Sequence, residues 1–585
     1  MTYILGINAY HGDSSACLVK DGVLISAVEE ERFRRIKHYA GFPKAAIRYC
    51  LDAAGIRLDD VALVCINQDA SANFWRKLGY VLTQRPDLKY LLERFRNKSE
   101  RADVAEELVR AFPGHTLRAR VRHVEHHMAH LASAHLVSPF QDSIVVSVDG
   151  FGDFASTAWG LAQGFQINME GRVHFPHSLG IFYQSLTQYL GFPNYGDEYK
   201  VMGLAPYGAP RHLDKMRQIV KLRGDGSFAL DLSFFRHHRE KVDYQWRDGE
   251  PRVGQLFSAA LVDLLGPQRK AGEDLTQYHH DLARSVQAMY EEAFFHLLNA
   301  RHARHRLDTL TLAGGCAMNS VANGRIYKNT PFKKVYVQAA AGDAGGAIGA
   351  AYAAWSEAGG IKSRFHMTHA YWGPEFDDRE IAALLESKKD LLDNASCSVR
   401  HLTEETELVA QTASAIADGL VVGWFQGRME WGPRALGNRS ILGDPRRADM
   451  KDILNIKIKR RESFRPFAPS VLKEAVSDWF EQDDDVPFMM QVYPIREGKR
   501  PSIPAVTHVD GSGRLQTVSV DANPRYHRLI RAFEAITGIP MVLNTSFNEN
   551  EPIVCHPSEA LDCFLRTKMD LLVMGNWVVR RPDAV

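Results

Sequence analysis

Two hairpin-like stretches, far apart in the chain, repeat one pattern. Residues 4–17 read Ile-Leu-Gly-Ile-Asn-Ala-Tyr-His-Gly-Asp-Ser-Ser-Ala-Cys, and residues 145–158 read Val-Val-Ser-Val-Asp-Gly-Phe-Gly-Asp-Phe-Ala-Ser-Thr-Ala. Aligned without gaps, Asn8 faces Asp149 and Ser15 faces Ser156. Each stretch is a short apolar strand, a polar glycine-containing turn and a second strand (Ala16–Val19, Thr157–Leu161), which predicts a hairpin. A hairpin tipped by an acid or amide is one way a nucleotide-binding fold presents a phosphate loop. Repetition of such a unit points to a duplicated α/β fold; two unrelated hairpins are the alternative, since the pattern is common.

Helical patterns follow both hairpins. Pro43–Ala54 opens on proline and closes before Gly55, the usual asymmetry of helix ends. Leu275–Ala300 is a long amphipathic run. Leu310–Ala313 and Val335–Gln338 read as strands that end in glycine clusters, Gly314-Gly315 and Gly342–Gly346, the second opening an alanine-rich helix to Trp355. Strands alternating with helices, with glycines at strand ends, predict an α/β domain that binds its ligand at those ends. The weakly patterned Glu357–Ser363 and the turn at Tyr371–Pro374 place a boundary near residues 358–370, giving domains at 1–360 and 370–585. In the second, Val421–Phe425, Val542–Asn544 and Leu571–Met574 read as strands, Glu407–Asp418 and His527–Ile536 as helices, and Glu481–Val486 as an exposed loop.

Three constellations carry chemistry. In Glu125-His126-His127-Met128-Ala129-His130, residues four apart share a helix face, so His126 and His130 can reach one ion while His127 faces elsewhere. A histidine-rich surface helix has the same spacing. Asp149 ends an apolar strand and Asp343 begins a glycine-rich helix start; two imidazoles with two carboxylates suit iron, manganese or zinc better than calcium or magnesium. The glycine clusters let backbone amides approach a phosphate at a helix N-terminus, although neither is a Walker or G-x-G-x-x-G pattern. Third, Arg428, Arg434 and Arg439 stand among glycines, and residues 444–465 hold eight Lys/Arg against four Asp/Glu. Lys457, Lys459 and Arg461, placed on a strand, form a cationic row suited to a triphosphate and a second small anion. A solvated charged face is the alternative.

Composition narrows the class. Lys+Arg 71 against Asp+Glu 70 removes bulk electrostatic capture of nucleic acid. No apolar run approaches the roughly 18 residues of a membrane span. Met1–Asn8 lacks the basic and long apolar segments of a signal peptide. The seven cysteines contain no C-x-x-C pair, so neither a disulfide framework nor a zinc ribbon is indicated. A cytoplasmic enzyme is expected.

The chain resembles the carbamoyltransferases of the nodulation-protein/cephem (NodU/CmcH) type, which include tobramycin O-carbamoyltransferase. The matching segments are Ser14–Val19, Val28–Phe33, Lys37-His38, His126–His130, Glu198–Gly208, Ala313–Asn323, Ala341–Ala350, Gly427–Arg439, Glu462–Ser470 and Val542–Asn548, in order over nearly the whole chain. Members join two modules. The first is similar to the tRNA threonylcarbamoyl-transferase domain, a duplicated actin/hexokinase/Hsp70-like fold; the second is similar to the YrdC-type α/β domain that forms carbamoyl-adenylate. The resemblance implies an iron (Fe2+, with Mn or Zn as substitutes) on His126, His130, Asp149 and Asp343. It implies catalytic roles for His11, Lys37 and His38, with His11 the base toward an acceptor hydroxyl. Nucleotide contacts fall to Gly314, Gly315, Asn319, Gly342 and Gly345, and carbamoyl phosphate and ATP to Arg428, Arg434, Arg439, Lys459, Arg461, Asn544 and Ser546. ATP with Mg2+, carbamoyl phosphate and a small-molecule acceptor, a sugar or natural product as in antibiotic biosynthesis, are the implied partners; neither membrane nor nucleic acid is, and a homodimer is compatible. Arg460 departs from the family pattern, where a neutral residue is common.

Other readings fit less well. A hydrogenase-maturation carbamoyltransferase joins the same modules but needs zinc-binding C-x-x-C pairs and an acylphosphatase-like domain. A tRNA-modifying enzyme sits poorly with a near-neutral charge. A non-catalytic nucleotide-binding protein leaves the cationic cluster unexplained. The acceptor is left open, because the loops expected to select it, around residues 69–120 and 160–270, hold no motif.

Overall fold

The computed structural model describes residues 1–84, 104–240, 242, 244–247, 249–360, 363–460, 462 and 464–582. The chain divides into two units, Met1–Ala322 with Ile326–Met367, and Asn323–Arg325 with Thr368–Val585. Both are mixed α/β.

In the first unit β1 (Tyr3–Asn8), β2 (Ser15–Lys20) and β3 (Val23–Glu29) form an antiparallel meander. β4 (Val61–Ile66) and β5 (Arg120–His123) extend it in parallel beyond β1, giving the order β3-β2-β1-β4-β5. β6 (Asp142–Gly152), β7 (Ala155–Gln163), β8 (Gln166–His174), β9 (Thr309–Ala313) and β10 (Lys334–Val337) repeat it as β8-β7-β6-β9-β10. The echo in the sequence is therefore a duplication of topology, each hairpin leading one sheet. Central strands are covered on both faces and read as unbroken apolar runs, as in Ile144, Val145 and Val146, all buried. The β6–β7 register breaks between Val148 and Gly152, which frees Asp149 from the ladder.

Four helices matter for the site. α1 (Lys44–Ala53) buries Ala46, Ile47, Cys50 and Leu51 in the core of the first sheet. α2 (His126–His135) starts on Glu125, whose carboxylate accepts the Met128 amide and satisfies one of the free N–H groups of the first turn. α3 (Gln277–His305) is the long helix expected near residues 275–300, buried on most sides from Asp281 to Phe294 rather than along one stripe, and α4 (Gly346–Glu357) follows the Asp343 loop. α2 and α4 approach so closely that a methyl group on Gly349 would lie 1.7 Å from the Ala129 carbonyl oxygen. The small residues of α4 are thus a packing requirement, and the close crossing carries the histidines of α2 up to Asp343.

The second unit is built on a nine-stranded mixed sheet. Its strands are β11 (Ser398–His401), β12 (Val422–Phe425), β13 (Arg439–Gly443), β14 (Ala468–Leu472), β15 (Gln491–Pro494), β16 (Ser512–Val518), β17 (Met541–Ser546), β18 (Leu571–Met574) and β19 (Trp577–Arg580). They lie in the order β11-β19-β18-β12-β13-β17-β14-β16-β15. The cationic row expected on a strand does not form. Met450–Leu454 is helical, and Asn455–Lys459 continues as a π-helical turn ending on Arg460 at φ 42°. Met450, Leu454 and Ile458 are all buried; their four-residue spacing is helical, and it outweighs the alternation of the lysines. Arg461 lies outside the described residues.

Candidate metal centre

Four side chains from three elements converge in the first unit. His126 Nε2 lies 3.1 Å from Asp149 Oδ2 and 3.0 Å from His130 Nε2. His130 Nε2 is 3.4 Å from Asp149 Oδ2, and both imidazoles stand 3.6 Å from Asp343 Oδ1. All four donor atoms fall within 4.8 Å of one another. Ligands held about 2.1 Å from one ion sit roughly 3.0–3.4 Å apart, so this spacing fits a single transition-metal ion. The donor set, two imidazoles and two carboxylates, fits it chemically as well.

Neighbouring groups fix this geometry. The Gly315 amide donates to Asp149 Oδ1 at 2.8 Å. Asp153 Oδ2 accepts the amides of His126 (2.9 Å) and Asp69 (2.8 Å), tying the start of α2 to the β6–β7 hairpin. A methyl group on Gly152 would lie 2.0 Å from the His126 ring, so only glycine seats the imidazole there. Burial alone would lower the His126 imidazole, but its hydrogen bond to Asp149 and the charge of Asp343 lift it to about 10. Burial would raise Asp149, yet both imidazoles hold it well below the carboxylate range. These carboxylates favour positive charge between them, which a dication supplies. His127 faces elsewhere, as its spacing predicts: its Nδ1 lies 2.7 Å from Ser147 Oγ, and burial brings it down to about 4.

The β1–β2 turn forms a second wall. The Asn8 side-chain amide donates to the carbonyls of Gly12 (3.0 Å) and Asp13 (2.9 Å) and shapes the tip. His11 Nδ1 stands 4.0 Å from Asp343 Oδ2, and its ring centroid is 5.5 Å from that of His126. His38 Nδ1 pairs with Asp13 Oδ1 at 2.8 Å, and its amide donates to Glu31; Lys37 is exposed. Burial pulls His38 down, but Asp13 and then Glu31 outweigh it and lift it to about 9. A histidine raised in the folded state stabilises it fully below about pH 6.5 and loses that contribution as pH climbs through about 9. The side chains are 32% and 30% exposed, so solvent screening reduces the contribution to about 1 kcal/mol. Urea unfolding at pH 6 and pH 9.5 should therefore show a larger loss for the wild type than for His38→Gln. Equal losses would mean the pair contributes nothing.

Several residues expected to bind phosphates have other partners. The Gly314 and Gly315 amides, expected to face a phosphate, donate instead to Ala341 O (2.7 Å) and Asp149 Oδ1. The Gly345 amide donates to the carbonyl of Gly342, and the Asn319 side chain exchanges hydrogen bonds with Gln287. In the second unit Arg439 is fully buried; its guanidinium donates to the carbonyls of Gln426, Asn438, Pro374 and Gly427 and lies 3.7 Å from the Phe425 ring centre. Arg439 is thus a strut of the loop rather than an open anion contact. Arg428 donates to Trp372 O, Arg434 is half-buried, and Asn544 donates to Ala435 O and Ser470 Oγ. Lys459 and Ser546 do come together, with Lys459 Nζ 2.6 Å from Ser546 O. Sequence reasoning missed Gly152, Asp153 and Tyr195, and it placed Asp13 beside His11, whereas Asp13 pairs with His38. For Asp153 the echo held a signal, since it lies in the same hairpin turn as Asp149.

A model of the carbamoyltransferase N-terminus matches residues 3–352, and one of the carbamoyltransferase C-terminus matches residues 413–581. The chain belongs to the carbamoyltransferase family and is a transferase. It is 38% identical to nodulation protein NolNO of Sinorhizobium fredii, over 99% of this chain and 80% of that one. It is 36% identical to the 3'-hydroxymethylcephem-O-carbamoyltransferase of Streptomyces clavuligerus, over 46% of this chain and 49% of that one. Among solved structures, HypF of T. kodakarensis aligns at 14% identity with a TM-score of 0.31, over 63% of this chain and 49% of that one. Among the described residues no helix is long and apolar enough to cross a membrane.

Proposed function

We propose that the chain is an ATP-dependent O-carbamoyltransferase that works in two half-reactions. In the first, water cleaves carbamoyl phosphate to carbamate and phosphate, and a carbamate oxygen displaces pyrophosphate from ATP. Carbamate is a poor electrophile, and joining it to AMP supplies a good leaving group. We assign this step to a YrdC-like second unit, where Arg428, Arg434 and Lys459 would neutralise phosphates, a task of positioning and charge. In the second half-reaction a hydroxyl of a small-molecule acceptor, a sugar or natural product, takes the carbamoyl group in the first unit.

The observation that carries this reading is the approach of His11 to the four-donor centre, with His11 Nδ1 4.0 Å from Asp343 Oδ2. A base beside a charged centre is what removal of a hydroxyl proton requires. An iron bound by His126, His130, Asp149 and Asp343, with manganese or zinc as substitutes, would supply a Lewis acid that polarises a carbonyl or fixes the nucleotide. Asp153 and Gly315 hold that wall in place, and the Asn8 side chain holds the His11 turn. The cephem relative is an O-carbamoyltransferase, which supports a hydroxyl acceptor here.

The test is product formation by the purified full chain with ATP, Mg2+ and radiolabelled carbamoyl phosphate. AMP and pyrophosphate should appear together, and only when both substrates are present. Metabolite extracts added to the same mixture should yield a compound heavier by one carbamoyl group. AMP formation indifferent to carbamoyl phosphate would overturn the reading.

A further inference from the structure

Tyr195 lies in the loop between the helices Leu179–Tyr189 and Glu198–Leu204 and reaches the β1–β2 turn. A methyl group on Gly12 would lie 2.6 Å from its hydroxyl oxygen, so the phenol rests on the turn that carries His11. Its ring meets His38 edge-on, with centroids 5.4 Å apart. Tyr195 is half-buried, whereas the buried tyrosines Tyr183, Tyr189 and Tyr290 have their hydroxyls tied down, to Gln287, Gly266 O and Cys316 O. Among the described residues, no hydrogen bond occupies the Tyr195 hydroxyl.

We infer that Tyr195 is a catalytic residue of carbamoyl transfer, its phenol donating a hydrogen bond to the carbamoyl carbonyl oxygen as the acceptor adds to it. The inference rests on the two-step reading above. Position is the reason: the phenol rests on the turn that carries His11, and among the described residues its hydroxyl is engaged by no other group. A phenol is protonated at neutral pH in any case. Burial raises it further, so it stays a donor.

The step balances without a further reagent. His11 takes the proton of the acceptor hydroxyl as that oxygen bonds to the carbamoyl carbon. The carbonyl π pair moves onto its oxygen, opposite the Tyr195 O–H. Collapse re-forms the carbonyl and breaks the bond to the phosphate oxygen of AMP, which leaves with the electron pair. Tyr195 shares its proton throughout and does not give it up.

The test supplies carbamoyl-adenylate directly to the metal-loaded full chain, with methanol as the hydroxyl probe, and measures methyl carbamate by mass spectrometry. Tyr195→Phe keeps the ring and removes the donor, and it should slow transfer about 10²–10³-fold, the usual effect of deleting one oxyanion donor. The methanol KM, the metal content, AMP formation from ATP and carbamoyl phosphate, and the pH midpoint of transfer should stay at wild-type values. His11→Asn, in contrast, should move the pH midpoint. A Tyr195→Phe rate near that of wild type, or a loss confined to KM, overturns the assignment. If wild type is no faster than an enzyme-free control while AMP formation is intact, the transfer-site reading falls and this inference falls with it.

Discussion

Replacing His126 and His130 together by alanine should abolish tight binding of a transition metal. The pair supplies two of the four donors gathered within 4.8 Å, and both nitrogen donors. Asp149 and Asp343 alone form a hard, oxygen-only site that holds borderline metals weakly. Loss of a supporting contact beyond the ligands typically costs 10–100-fold in metal affinity, so loss of two ligands should exceed about 100-fold. Elemental analysis after loading with Fe2+ or Zn2+, followed by competition with a chelator, measures this. AMP formation from ATP and carbamoyl phosphate should persist, because the histidines belong to the first unit. Gly152→Ala offers a second route to the same result, since it keeps every ligand yet places a methyl group 2.0 Å from the His126 ring. Wild-type metal content in the double variant would remove these residues from the metal site. Wild-type affinity in Gly152→Ala alone would mean that the ring has room to shift.

How much of this was legible in the sequence depends on the range of the interaction involved. The histidine pair follows from helical spacing, and Asp149 and Asp343 from their places at strand ends; all of these are local rules. The duplicated hairpin was visible because residues 4–17 and 145–158 keep the same order of apolar, turn and strand residues. Gly152 and Tyr195 were not visible, because their roles come from the approach of elements distant in the chain. The basic segment misled for a different reason. Alternating lysines suggested a strand, while the helical spacing of Met450, Leu454 and Ile458, which the core obeys, was overlooked. Arg439 and Asn544 show a third limit. Their composition announces donors, but whether a donor faces a phosphate or a main-chain carbonyl is decided by the fold of the loop around it.

Lys459→Met should destabilise the second unit by about 1–3 kcal/mol, the cost of leaving a buried polar group unsatisfied. Lys459 is 1% exposed, and its ammonium donates to Ser546 O (2.6 Å), Asn548 O (2.7 Å) and Asn548 Oδ1 (2.7 Å). Methionine matches the stem but leaves Asn548 O without a donor, while Ser546 O keeps the Asn548 amide (3.0 Å) and Asn548 Oδ1 keeps the Ser546 hydroxyl (2.8 Å); a buried unsatisfied group costs about 1–3 kcal/mol. Lys457→Met is the internal control. Its partner Asp570 lies 3.0 Å away at a site where Lys457 is 32% exposed, and such pairs contribute less than about 1 kcal/mol. Calorimetry of the full chain should resolve a lower unfolding temperature for Lys459→Met and almost none of that shift for Lys457→Met. AMP formation from ATP and carbamoyl phosphate should fall in the same variant, measured at a temperature where it is still folded. A phosphate can draw the ammonium only by displacing it from these oxygens. Unchanged unfolding with lost AMP formation would make Lys459 a substrate contact whose hydrogen bonds to the turn are dispensable. Lost stability with full activity per folded molecule would make it a strut of the turn, as Arg439 is of its loop.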